Sequence, residues 1–399
     1  MRIALLATLA WSTLTIGVGG RWASSVFECA AFVLLLAVSI CMAQARSVVS
    51  VNAVAMTLSF VPMFGLFQIA FGFSIAPWET GNAVMRWSAL VALCWATPYV
   101  LQASSWTAGS RRSSRGHPAS PFWFLRAFAI FANALAVACL LQPALHLPGY
   151  DHFAGPFQNR NTYAAFIELA LPVTAWVASR DKQREPLWWT AAAVMVASVI
   201  TTGARAGAIL VVAEFAILLA ITRRGRLVAG AGLLAMLWVS VAGWETLAWR
   251  AQLADPFAER GEVLRAGWKM AAERPLLGFG LGSFQDAYPR FASVDIGRLV
   301  NHVHNDWLEW LIEGGLAMPA LLGAALALVI PSLTRSWWAG GILAVAVHAL
   351  IDYPFARSGL AAWVWVLAAI AVTPPIAVPA PEARESVRRS GRSLARATR

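Results

Sequence analysis

The sequence is short of charge. Only 13% of its 399 residues are Asp, Glu, Lys or Arg, about half the share of a soluble domain. That excludes a water-soluble globule, because the 59% of residues that are hydrophobic exceed what one interior holds, and the surplus must face lipid. Lysine is nearly absent: Lys182 and Lys269 are the only two, so the net charge of +11 rests on arginine. No basic stripe interleaved with exposed aromatics appears, which excludes a nucleic-acid partner. The four cysteines (Cys29, Cys41, Cys94 and Cys139) lie in apolar runs without a CxxC pair. They read as small buried hydrophobes, not a disulfide framework or a zinc site. Gly278-Phe279-Gly280-Leu281-Gly282 has no preceding strand. It is no dinucleotide loop but a tight turn with some anion contact through backbone N–H groups.

What the sequence has is long apolar runs. A helical span takes about 20 mostly apolar residues. Runs of that kind fall at about 3–20, 26–44, 48–72, 87–102, 122–146, 161–179, 187–203, 206–222, 227–243, 307–331, 337–352 and 358–374. The expected fold is therefore all-α, a polytopic membrane helix bundle of about 12 transmembrane helices with one large loop at 244–306. The first run resembles a signal peptide but reads as a span, since no clear cleavage site follows it. The expected organisation is a transmembrane domain over 1–374, the loop 244–306 packed on the span ends within it, and a basic, disordered tail over 375–399. The polar connector 103–121 reads as disordered too.

Basic residues separate by loop. One alternating set holds 18 of the 31 Lys and Arg, and the opposite short loops hold five: Arg21, Arg86, Arg160, Arg205 and Arg357. Positive loops stay on the cytoplasmic side. Both termini are accordingly expected in the cytoplasm, with the loop 244–306 on the outer face. Arg126 lies in the fifth span, where it can snorkel.

The unusual polar residues then gather on the outer side. They are Asn159, Arg160 and Asn161; Arg205 between Gly203 and Gly207; Arg260 and Arg265; His302, His304, Asn305 and Asp306, with Glu309 and Glu313 behind them; and His348 and Asp352. Polar groups at membrane depth are expensive and usually line a cavity. Each also has a structural reading. Asn159 and Asn161 suit helix capping, Arg205 suits an interface anchor, and Arg260 a surface charge. Asp255-Pro256 reads as a helix start running to about Glu273. His302 and His304 invite a metal, but no third ligand is compelling. A neutral imidazole beside carboxylates instead suits proton abstraction from a hydroxyl.

In this order the motifs resemble the O-antigen ligase and O-antigen polymerase superfamily of bacterial membrane glycosyltransferases. The matching pieces are the turn 155–161, the Thr202-x-x-Arg205-x-Gly207 turn, the Arg260 helix, Pro275 to Phe284, and His302-x-His304-Asn305-x-x-Leu308-Glu309-x-x-x-Glu313-x-Gly315. The resemblance covers roughly 150–360. It implies transfer of a glycan from undecaprenyl diphosphate to an acceptor hydroxyl at the periplasmic face of the bacterial inner membrane. It also implies His304 as base, Arg205 and Arg260 as holders of the diphosphate, and no metal or other cofactor. Asn159, Arg160, Asn161, Arg265, His302, Asn305, Glu309 and Glu313 are the expected substrate contacts. Two positions depart from the family pattern: Ala204 stands where Ser is frequent, and Leu264 where Trp is frequent. Lipid A-core is the acceptor of a ligase and a second lipid-linked repeat that of a polymerase; the reading leans to the ligase. The competing classes are a secondary transporter or flippase, which inverted repeats and broken helices would favour, and a non-catalytic envelope scaffold.

Overall fold

The computed structural model describes residues 1–18, 20–45, 51–102, 121–145, 155–222, 258–295, 297 and 299–373. The expected span 227–243, the helix start at Asp255-Pro256, nearly all of the connector 103–121 and the tail 375–399 lie outside those residues. The described chain is helical, without a strand. Its helices are α1 (Arg2–Leu14), α2 (Arg21–Ala45), α3 (Ala53–Ala70), α4 (Pro77–Gln102), α5 (Phe122–Leu145), α6 (Arg160–Arg180), α7 (Glu185–Thr201) and α8 (Arg205–Thr222). There follow α9 (Ala258–Glu273), α10 (Phe284–Ala287), α11 (Asp306–Gly314), α12 (Ala317–Ala327), α13 (Gly340–His348) and α14 (Ser358–Val372). Among the described residues, seven helical stretches are long and apolar enough to cross a membrane, and three shorter apolar helices accompany them.

Small residues set the centre of the bundle. Helix α6 is buried almost end to end, and α14 likewise, both rich in Ala that lets backbones approach. Helix α2 turns Val26, Val33, Leu36 and Ile40 outward, as a lipid-facing helix should. Cys29 and Cys41 share that exposed surface, whereas Cys94 and Cys139 are buried. The expectation of four buried cysteines thus holds for two, because apolar neighbours in sequence do not distinguish a lipid face from a core. Arg126 reaches Asp181 at 3.9 Å and lies over Trp188.

The expected span 307–331 is broken. Helix α11 stops at Gly314, and Gly315 takes φ +58° before α12 begins. A Cβ on Gly315 would meet the Leu276 carbonyl at 2.2 Å, and one on Gly278 (φ +67°) would meet the Glu313 carbonyl carbon at 2.3 Å. Only glycine fits this crossing of two backbones. Phe279 and Gly280 donate their N–H groups to the Ile312 and Glu313 carbonyls at 2.9 Å each, and Leu316 donates to Pro275 at 2.8 Å. The glycine turn therefore spends the Phe279 and Gly280 N–H groups on the end of α11, while Gly282 N–H turns to the Glu313 carboxyl.

Gln68, fully buried in α3, clips this crossing to the bundle. Its amide donates to the Leu277 and Glu313 carbonyls at 2.7 and 2.8 Å, and its oxygen accepts from Leu281 N–H at 3.0 Å. Gln68→Leu leaves the Leu277 carbonyl and the Leu281 N–H without this partner. It is expected to destabilise the protein by about 3 kcal/mol. Thermal unfolding in detergent checks this, and an unchanged midpoint would refute the clip. The segment from α9 to α11 has its own small apolar cluster, including Met270, Phe279, Phe284, Val303, Leu308 and Ile312.

Candidate active site

Two Asn caps, on α6 and α11, position the polar cluster; a third, on α3, lies against the last turn of α14. Asn159 caps α6, its Oδ1 accepting from Asn161 N–H at 2.8 Å, and its amide donates to the Tyr353 hydroxyl at 3.2 Å. Asn305 caps α11 by accepting from Leu308 N–H at 3.0 Å, and Asn52 caps α3. Capping and site-building are thus one role for Asn159. The cap of α11 sets the direction of the two residues before it, His304 and Val303.

His304 is the one non-glycine among the described residues with positive φ, at +59°. Histidine tolerates this region better than most residues, yet the conformation costs on the order of 1 kcal/mol. Its Nδ1 stands 3.5 Å from Asp352 Oδ1, a loose contact, and its ring meets the Tyr353 ring edge-on at 5.0 Å between centroids. The imidazole is 28% exposed and Asp352 only 3%. A carboxylate at Nδ1 favours the tautomer with its proton there and leaves Nε2 as the basic nitrogen. Burial alone would raise the Asp352 carboxyl. The His304 contact and charge, with the charges of Arg260 and His348, outweigh it and hold that carboxyl below its usual value. Asp352 therefore stays anionic through the neutral range. It also accepts Tyr353 N–H at 3.0 Å, which fixes its rotamer.

His302 is held differently. Its Nδ1 bonds Glu309 Oε1 at 2.8 Å, its ring stacks on Tyr353 at 4.3 Å, and Glu309 Oε2 accepts Val303 N–H at 3.0 Å. The two histidines thus face separate carboxylates. Among the described residues no three His, Cys, Asp or Glu side chains converge as a metal site. Below them Asp306 accepts Phe355 N–H at 2.8 Å, and its own N–H reaches the Ala349 and Asp352 carbonyls at 2.9 and 3.2 Å, locking the 349–355 segment to α11.

Arg260 lies close enough for its charge to act on both Asp352 and His348. Arg205 opens α8 after Gly203 at φ +68°. Gly207 presses on Ala164 in the first turns of α6, the helix that Asn159 caps; a Cβ there would lie 2.3 Å from that of Ala164. Arg205 and the Asn159–Tyr353–His302 contacts therefore occupy one end of α6. Neither Arg205 nor Arg260 has a carboxylate within ion-pair distance among the described residues. Arg160 starts α6 beside them. Arg265 does not join the cluster: it is 68% exposed and paired with Glu262 at 2.6 Å. Glu313 sits at the far end of α11, accepting Phe284 N–H at 3.3 Å.

Sequence reasoning singled out His348 and Asp352 as unusual without assigning them a role in the site. Asp352 is the direct neighbour of His304, and Tyr353 of both histidines. His348 Nδ1 bonds the buried Glu168 carboxylate at 2.8 Å. Their nearness to a boundary polar cluster was the available signal; the pairings depend on tertiary packing.

Residues 190–318 match the protein-family model described as O-antigen ligase. A search of curated proteins finds no match. The matched segment holds Arg205, Arg260, His302 and His304, and it supports membership of the O-antigen ligase superfamily, with the glycosyltransferase class of that ligase and polymerase family and a multi-pass membrane location.

Proposed function

We propose that this chain, with its O-antigen ligase segment at 190–318, transfers a glycan from undecaprenyl diphosphate to an acceptor hydroxyl at the periplasmic face, with lipid A-core as the acceptor. The His304–Asp352 pair carries the reading: a half-exposed imidazole with one nitrogen turned to a buried carboxylate. In the reaction His304 Nε2 takes the acceptor hydroxyl proton as its oxygen bonds the anomeric carbon. The bond from that carbon to the diphosphate breaks, and its electron pair leaves on the diphosphate. Arg205 and Arg260 receive the developing charge, which two guanidinium groups in a low-dielectric site stabilise well. The donor's polyprenyl tail matches the membrane location. Orientation follows the charge bias of the loops, which sets both termini in the cytoplasm.

Purified protein in detergent, given an undecaprenyl-diphosphate glycan and lipid A-core, is expected to form the linked product. A product formed only on a second undecaprenyl-diphosphate repeat would make it a polymerase, and no product on either would sink the transferase reading. Asp352→Asn is expected to lower kcat about 10²-fold, since an amide offers Nδ1 a donor and turns the imidazole to the wrong tautomer. Without the carboxylate the imidazolium is less stable, so the acid limb of the rate profile should move to lower pH. A limb that stays in place would leave Asp352 a merely structural role.

A further inference from the structure

On the other side of the Tyr353 segment lies a second feature. A cavity of about 330 Å³ is lined by Arg21, Arg86, Arg357, Glu79, Asn82 and Ser24, among others. It adjoins a cavity of about 260 Å³ that holds His302, Glu309, Glu313, Trp87 and Trp310, the two sharing Glu79, Arg86, Ala356 and Ser358. Three of the five arginines of the sparse loop set thus converge on one cavity, and Arg205 and Arg260 are not among them.

The charge in it is unbalanced. Glu79 is the one acidic side chain lining the first cavity. Arg21, Arg86 and Arg357 have no carboxylate within ion-pair distance among the described residues. Buried Glu28 acts on Arg21 and Arg86, and Glu313 on Arg86, only at longer range. Arg357 lies over the Tyr353 ring at 5.3 Å, the same ring that His302 stacks on. Uncompensated guanidinium groups at a bilayer boundary call for an anion, and phosphate oxygens suit their fork. The neighbouring cavity has the other chemistry of glycan recognition: indole and phenyl faces beside carboxylates that accept sugar hydroxyls. Arg21 of the first cavity starts the lipid-facing α2, and the next residue, Trp22, is 58% exposed.

We propose that the Arg21–Arg86–Arg357 cavity binds a phosphate group of the glycolipid acceptor, whose sugar end enters the Trp87–Trp310 cavity and passes His302 to the His304 imidazole on the same Tyr353 ring. The donor diphosphate stays on Arg205 and Arg260. This rests on the transferase reading for its catalytic half and on the cavity alone for its binding half.

The test uses the full-length protein in detergent with lipid A-core as probe, its phosphates intact or removed by phosphatase. Arg86→Gln and Arg357→Gln are each expected to raise the acceptor KM about tenfold, the loss of one charge-assisted contact, while the donor KM holds. Removing the acceptor phosphates should cause the same rise in wild type and add little in the variants. Arg86→Lys should recover part of the loss, which separates charge from folding. Binding of fluorescent lipid A-core without donor should weaken in parallel and resist competition by phosphatidylglycerol. An unchanged acceptor KM in both variants, a raised donor KM, or equal competition by phosphatidylglycerol would overturn the acceptor site. Arg86-dependent binding in a wild type that transfers nothing would uphold the cavity and sink the transferase reading.

Discussion

His304→Ala is expected to lower kcat for glycan transfer about 10³-fold, the usual contribution of a positioned general base. The acceptor hydroxyl is a weak nucleophile, and only a neutral nitrogen aimed at it takes the proton as the new bond forms. Three features aim this one: the strained φ of +59°, the Tyr353 ring edge, and the Asp352 carboxylate at Nδ1. Alanine keeps the Cβ, and with it the backbone strain, while Asp352 stays buried beside the charge of Arg260, so the fold should persist at a cost on the order of 1 kcal/mol. Donor binding should survive as well, because Arg205 and Arg260 do not depend on the imidazole. The measurement is single-turnover transfer beside donor affinity, with added imidazole as a rescue. Wild-type turnover in the variant would remove His304 from the chemistry. In that case His302 is the next candidate, since Glu309 at its Nδ1 leaves its Nε2 basic as Asp352 does for His304.

The second large effect is expected at Arg205. Arg205→Ala should reduce kcat/KM about 10³-fold, corresponding to two charge-assisted hydrogen bonds to a phosphate that grow as the leaving group gains charge. The case rests on the lack of a competing partner. No described carboxylate pairs with it, and Gly203 and Gly207 on either side keep the turn tight against α6. An interface anchor would lose little on truncation, so the size of the effect separates the two readings. Arg205→Lys keeps the charge but not the fork and should recover only part. Membrane insertion and thermal stability of Arg205→Ala should match wild type. Full activity in that variant would move the diphosphate elsewhere.

The spans were legible wherever an apolar run was long and had polar flanks. Helices α2, α3, α5 and α6 fall close to their expected positions for that reason, whereas α4 begins at Pro77, well before its expected start at 87. Hydropathy carried no sign of the break at Gly315, because the run stays apolar through it and the cause is a backbone crossing with residues 275–280. Gln68 was invisible for the converse reason: one amide hardly changes the average of α3, yet its partners lie over two hundred positions away. Asn159 was legible as a cap, and its bond to Tyr353 was not. Arg260 and Arg265 were named together, but five residues turn a helix by about 140°. They cannot face one ligand, and the structure puts Arg265 on Glu262. Asp352 was seen as a boundary carboxylate; its pairing with His304 needed α13 and α11 packed side by side.

Tyr353 bears on how this protein comes into being. Its ring and hydroxyl join Asn159, His302, His304 and Arg357, so it is the hub of a site whose asparagine and histidines emerge from the ribosome well before it. A nascent chain can thread most of its helices into the bilayer while the catalytic end stays unassembled. Competence arrives late and all at once, when the segment before α14 docks. Premature stops just upstream of it should therefore yield inserted but inert protein, which a cell must dispose of rather than use.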